Sequence, residues 1–385
     1  MNSIFDGPEL DDLRADRFAR YRRAVARDDL LGRGFIIYGA GVEGRLLLSC
    51  LEGAGLSPLC LVDRDPRLHG ETIGEARVMP PAELANHGDC VVVIASCRVR
   101  SITKDNPFLS GRPGVVVWSA LSGICPILPE LPESIDEFFE NEGVARAYSI
   151  LADETSRTIF RDFIKFHVSF DEALFSDYEP GCYFPAGSPL DHRRFIDAGA
   201  SDGDTLRCWL AHGYPRSAQD RYYAFEPCRA EFSRLESFVA GLPREVRGSV
   251  ELHDCGLGER DGILCLRDAG KSSWIGDRAA YGEDGGDGGD RGDDVSVMRL
   301  DDVLAGAWPS LIKADVEGTE LDLLAGAEGT IRRCAPDLAI SVYHRYSDLW
   351  RIPLWIKGVD GRYGIFLRHH SRAYDDVVCY ALGQR

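Results

Sequence analysis

Two short segments constrain this chain more than any others: FIIYGAGVEG at 35–44 and RFIDAGASDGDT at 194–205. Each is an apolar run that meets closely spaced glycines, the pattern of a strand turning sharply into a helix. Two such starts in 385 residues, more than one hydrophobic core usually organises, predict two units of α/β class with Rossmann-like sheets. Further apolar runs, LSPLCLVDRD, VVVIAS and GVVVWSA, alternate with helical spacing and complete the first unit at 1–130. Residues 10–30 are expected to form one helix of it. A Pro-rich stretch, CPILPELPESID, reads as a linker, and residues 131–190 as linker and helical connector. The second unit, 191–385, continues through YYAFEP, SVELHDCGLG, SLIKADVEG and DLAISVYH, each read as a strand.

The first loop holds Gly39, Gly41 and Gly44, with Asp63 placed 22 residues after Gly41. That is a dinucleotide fingerprint: glycines for the turn and the close approach, and an acid for the ribose. It supports a nucleotide or nucleotide sugar as ligand, or else glycines that only pack strand against helix. A nicotinamide-dependent oxidoreductase would also need an acid/base group at the same sheet edge. CRVRSITKDNP, which follows VVVIAS, offers Arg98 and Arg100 but no His or Lys–Tyr pair.

The second loop is spaced Gly-x-x-x-Gly, with Ser201 between Gly199 and Gly203. Asp197, Asp202 and Asp204 would repel a diphosphate and favour a cationic ligand, such as the sulfonium and ammonium of S-adenosylmethionine. Acids then recur at successive strand ends. Glu226 suits a ribose diol, and Asp254 an adenine amino group. Lys313, Asp315 and Glu317 alternate, so on a strand they share one face, at a site edge or in an ion pair. Glu317 could equally favour the start of the next helix. His344 ends the fifth strand at the same edge, where function and structure are both open readings.

The net charge of −18 argues against nucleic acid or an anionic membrane surface as partner. No apolar run reaches the roughly 18 residues of a membrane span. The charged N-terminus lacks a signal-peptide core, so a cytoplasmic protein is expected. Twelve cysteines without a Cys-x-x-Cys pair read as buried thiols in a reducing compartment, with no metal-ligand set. GEDGGDGGDRGDD at 282–294 lacks the spaced apolar residues of a calcium repeat and is expected to be a solvated loop.

FIDAGASDGDTL, YYAFEPC, VMRLDDVL, LIKADVEGTELDLLAGAEGTIRRCAPDLAISVYH and DLWRIP together resemble the FkbM-type methyltransferase family, from about residue 150 onward. The resemblance implies a class I methyltransferase fold, S-adenosyl-L-methionine as cofactor, and methylation of a hydroxyl on a sugar, polysaccharide or natural product. It implies Asp197, Gly199, Ser201, Asp202, Gly203 and Glu226 around the cofactor, beside the Asp254 read from its strand end. It also implies Asp315, Glu317 and His344 at the acceptor. Their shared sheet edge suggests His344 or Asp315 as base, with Glu317 positioning the acceptor. Magnesium between Asp315 and Glu317 is a lesser reading. The Gly-Asp insertion departs from the family pattern and leaves KSSW at 271–274 unplaced. A non-catalytic nucleotide-binding protein is the third class that the sequence leaves open.

Overall fold

The structure is a computed structural model. It describes residues 4–15, 21, 25–96, 98–110, 112–121, 135–185, 187, 189–267, 274–276, 293–304, 306, 308–372 and 376–383. Most of the linker stretch, most of the Gly-Asp segment and residues 271–273 lie outside these.

The first sheet comprises β1 (Phe35–Tyr38), β2 (Cys60–Val62), β3 (Thr72–Ile73), β4 (Ala76–Met79), β5 (Val91–Ile94) and β6 (Val115–Val117). Its order is β3-β4-β2-β1-β5-β6, parallel except for the short β3. All residues of β1, β2, β5 and β6 are buried, because apolar clusters cover both faces, as parallel sheets require.

The second unit contains β7 (Arg194–Ala198), β8 (Arg221–Phe225), β9 (Val250–His253), β10 (Gly256–Leu257), β11 (Gly262–Arg267), β12 (Trp274–Gly276), β13 (Asp293–Met298), β14 (Leu311–Ala314), β15 (Asp337–Ser341), β16 (Gly364–His369) and β17 (Val377–Leu382). Its main sheet runs β16-β17-β15-β14-β7-β8-β9, with β17 antiparallel to both neighbours and the other pairs parallel. β10, β11, β12 and β13 form a separate four-stranded sheet. The chain winds outward from β7 through β8 and β9, then restarts at β14 on β7's other side. The crevice between the carboxyl ends of β7 and β14 is therefore a topological switch point, where ligands bind in such sheets.

Three expectations change. Residues 10–30 are not one helix: one helix spans Gly7–Arg14, another Arg27–Arg33, and Ala26 is extended between them. The two ends serve different cores. Ile4 and Phe5 are buried with Phe160 and Phe163 of the helical connector and Ile340 of the second unit, whereas Tyr21 is buried against the first sheet. SVELHDCGLG is also not one strand, because the chain leaves the main sheet after His253 and β10 joins the small one. The third strand-like run, GVVVWSA, is a strand only at Val115–Val117 before a tight helical turn at Trp118–Leu121. No helix among the described residues is long and apolar enough to cross a membrane, and the ten described cysteines are free thiols.

Candidate active site

The first glycine loop is built by close packing. A Cβ on Gly44 would stand 1.9 Å from the Gly39 carbonyl oxygen, and Gly39 itself is at φ 118. Only Gly41 faces open space. The Asp63 carboxylate, expected at a ribose, accepts the Ala40 N–H at 2.7 Å and the Asp65 N–H at 2.8 Å. It serves the loop's own backbone.

The second loop borders a cavity of 350 Å³ over the switch point. Asp197, at the end of β7, is fully buried and sits opposite Lys313 of β14 in the sheet register. The Lys313 ammonium lies 2.9 Å from Asp197 Oδ1, and the Tyr222 hydroxyl donates to Oδ2 at 2.5 Å. Burial opposes the charge on Lys313, but Asp197 and Asp315 outweigh it and hold the amine protonated above its usual range. The same ammonium donates to the Gly199 carbonyl at 2.6 Å. Gly199 has φ 75, and a Cβ there would lie 1.9 Å from the Asp315 carbonyl oxygen, so only glycine lets these two strand ends meet.

Glu226 ends β8. Its two oxygens accept the Ser201 N–H at 2.8 Å and the Cys228 N–H at 2.7 Å, which fixes the carboxylate at the cavity wall with lone pairs to spare. Burial lifts its pKa, against the pull of those amides. Gly199, Ser201 and Glu226 thus line the cavity. Asp197 does not: it anchors Lys313. Asp202 pairs with Arg207 at 3.2 Å outside the lining, and Gly203, at φ 90, caps the helix Asp204–Ala211. Asp254 is exposed and lines a separate hollow with Pro227 and Arg229, so the structure does not bring it to the cavity that holds Glu226.

Across the cavity, Asp315 accepts hydrogen bonds from Tyr343 at 2.9 Å and Tyr183 at 3.1 Å. Burial would raise its pKa, but Lys313 and His344 bring it below the usual carboxylate value. Glu317 follows the strand at φ 54 and lines the cavity; burial pushes its pKa up to about 7. The helix-start role open to Glu317 falls to Glu320. Glu320 is fully buried, and its Oε1 accepts the Val316 N–H at 3.1 Å and the Gly318 N–H at 3.4 Å. That same oxygen lies 2.7 Å from His344 Nδ1.

His344 Nε2 points back toward Asp315 Oδ1, at 3.6 Å, and Glu317 Oε2, at 3.4 Å. Burial disfavours the charged ring, but Glu320, Glu317 and Asp315 outweigh it and carry its pKa up to about 10. Those three carboxylates favour the protonated ring, which argues against His344 as the expected base. Asp315 is also a poor base, with both oxygens hydrogen-bonded and its pKa lowered. The sequence reading missed Glu320, although its place three residues after Glu317 repeats the acidic pattern. It also missed Tyr183, which reaches Asp315 from 132 positions away and leaves no local signal.

Glu226, Asp204, Asp315 and Glu317 face the cavity with Lys313, so the excess charge is negative and suits a cationic ligand. Comparison with known proteins agrees with this architecture. A Methyltransferase FkbM domain model matches residues 197–371. Methyltransferase 1 of Beauveria bassiana (strain ARSEF 2860) is 31% identical over 167 residues, which is 38% of this chain and 63% of that protein. The crystal structure of methyltransferase FkbM from Methylobacillus flagellatus KT is similar with a TM-score of 0.64 and 22% identity, over 97% of this chain and 96% of that one. That likeness extends the shared fold, two Rossmann-like units of α/β class, to nearly the whole chain. Residues 197–371, a little under half of the chain, thus match a Methyltransferase FkbM domain, and the chain spans less than two thirds of the curated relative's length.

Proposed function

We propose that the chain is an S-adenosyl-L-methionine-dependent O-methyltransferase acting on a hydroxyl of a sugar, glycan or natural product. The observation that carries this reading is the acidic cavity at the switch point, with Gly199, Ser201 and Glu226 on one wall and Asp315 and Glu317 on the other. Glu226 would hold the ribose hydroxyls, and the acidic walls would favour the sulfonium and ammonium. The acceptor lies beside Asp315, which the two tyrosines fix in place. Glu317 has no hydrogen-bond donor on its carboxylate among the described contacts and is 34% exposed, so it is the carboxylate free to take a proton. The acceptor oxygen forms a bond to the methyl carbon as the carbon–sulfur bond breaks. The bonding pair goes to sulfur, leaving S-adenosylhomocysteine, and the hydroxyl proton passes to Glu317.

Calorimetry with S-adenosylhomocysteine tests the reading. Micromolar binding that falls at least tenfold in Glu226→Gln is expected. No binding to the wild-type chain, or binding of NADH instead, rejects it. The sugar class rests on the family resemblance, and radiolabelled methyl transfer to a panel of glycosides and non-sugar alcohols decides it.

A further inference from the structure

Glu317 reaches the cavity from an unusual backbone position. It is a glutamate at φ 54, in the left-handed region, and Gly318 follows it at φ 95. A residue with a side chain keeps such a conformation only where its surroundings over-determine it. Here one buried oxygen does so. Glu320 Oε1 accepts the Val316 N–H at 3.1 Å and the Gly318 N–H at 3.4 Å, the amides on either side of Glu317. The same atom lies 2.7 Å from His344 Nδ1, which turns Nε2 toward Glu317 Oε2 at 3.4 Å and Asp315 Oδ1 at 3.6 Å. Those last two distances are long for hydrogen bonds, so the ring acts on both carboxylates through its charge. Neither Glu320 nor His344 borders the cavity. Whatever they do for the reaction passes through Glu317 and Asp315.

We propose that Glu320 is the positioning residue of the acceptor side: through two amides it fixes the turn that presents Glu317, and through His344 Nδ1 it fixes the ring whose Nε2 faces Glu317 and Asp315. One carboxylate thus sets both where the proton acceptor stands and which charge stands behind it. The groups acting on the ring come from several elements. Asp315 and Glu317 lie past the end of β14, Glu320 opens the helix Glu320–Gly326, and Asp348 opens the helix Asp348–Val359. Arg345 acts on Asp348 and Lys313 on Asp315. The Tyr343 ring packs against the imidazole at 4.1 Å. Burial opposes the charge on His344, and Glu320 is the largest of the charges that outweigh it.

The inference rests on the methyl-transfer reading, but its first measurement does not depend on turnover. Nuclear magnetic resonance follows the His344 ring protons against pH in the full chain, with the signals assigned by their loss in His344→Gln. In the wild type the ring should stay protonated up to about pH 10. Glu320→Gln keeps an oxygen for the two amides and removes the charge, so the midpoint should fall by about one pH unit or more. On the acceptor found in the glycoside panel, the same variant should lower kcat about tenfold and displace the pH–rate profile. S-adenosylhomocysteine binding should stay within about twofold of wild type, because Gly199, Ser201 and Glu226 are untouched. Glu320→Ala removes the oxygen as well and should lower kcat further. An unchanged midpoint in Glu320→Gln, or cofactor binding that falls as far as kcat, overturns the positioning role. So does a wild-type midpoint below about pH 8, near that of a free imidazole, and that measurement stands even if neither substitution folds. A wild-type chain that binds no S-adenosylhomocysteine rejects the cofactor reading, whatever the ring titration shows.

Discussion

Replacing Lys313 with methionine tests how the cavity is held up. Methionine fills similar volume and removes the charge, so Asp197 is left fully buried with the Tyr222 hydroxyl as its remaining side-chain partner. Breaking a buried pair from one side costs about 3–5 kcal/mol, because the surviving charge loses its counterion in a medium that solvates it poorly. The lost bond to the Gly199 carbonyl adds about 1 kcal/mol. Urea unfolding of Lys313→Met should therefore show a loss of about 4–6 kcal/mol. The double variant Lys313→Met with Asp197→Asn should recover more than half of it, since a neutral amide leaves no unpaired charge. Calorimetry should show weaker S-adenosylhomocysteine binding in both, because both free the Gly199 carbonyl. A single variant within 1 kcal/mol of wild type, or a double variant no better than the single, would refute the idea that Asp197 and Lys313 form a structural pair under the cofactor loop.

The first loop separates packing from ligand binding. Gly44→Ala drives a Cβ to 1.9 Å from the Gly39 carbonyl and should cost about 3 kcal/mol, whereas Gly41→Ala meets nothing within 4 Å and should change thermal stability little. If nucleotide sugars bind the full chain and Gly41→Ala weakens them, that loop is a ligand site; if none binds, packing accounts for it. At the sheet's far edge, burial raises Asp153, but Arg368 and Ser156 outweigh it and hold its carboxyl at about 2. Its contribution is complete above the unfolded value of about 3.9 and is lost as pH falls through about 2, so Arg368→Ala should begin acid unfolding at higher pH than wild type. An unchanged acid midpoint by circular dichroism would remove Asp153 from the acid-sensitive set.

What could be read in the chain follows from how local each signal is. That Gly199, Ser201 and Glu226 border one crevice is legible because each lies at a strand end whose position the apolar run already sets. That Asp197 pairs with Lys313 instead of lining the cavity depends on the register of β7 against β14, which puts Lys313 opposite it. Residue 313 lies more than a hundred positions away, and nothing near Asp197 announces the pairing. His344 stands close to Asp315 and Glu317, as expected, but three carboxylates favour its protonated form. Its burial among three carboxylates, one of them from the first turn of a different helix, decides its charge, and spacing along one strand says nothing about that. Asp254 failed for a third reason: the chain departs from the main sheet just before it, and its strand-end position no longer faces the crevice.

Both glycine loops lie at switch points, the first between β1 and β5 and the second between β7 and β14. Turn geometry therefore cannot be what separates them. The difference is in what the neighbouring strand ends present. At the first, the only acid of the fingerprint spends its oxygens on the backbone amides of Ala40 and Asp65. At the second, Glu226 also takes two backbone amides, yet Asp315 and Glu317 still face the cavity and one buried lysine answers them. A glycine pattern specifies how closely a ligand can approach the chain. The charges at the strand ends bias which ligand is attracted, and here the excess is negative. That is why the loop with the better-known spacing is the weaker guide to chemistry in this protein, and the loop that breaks the spacing, with Ser201 in place of a glycine, borders the site.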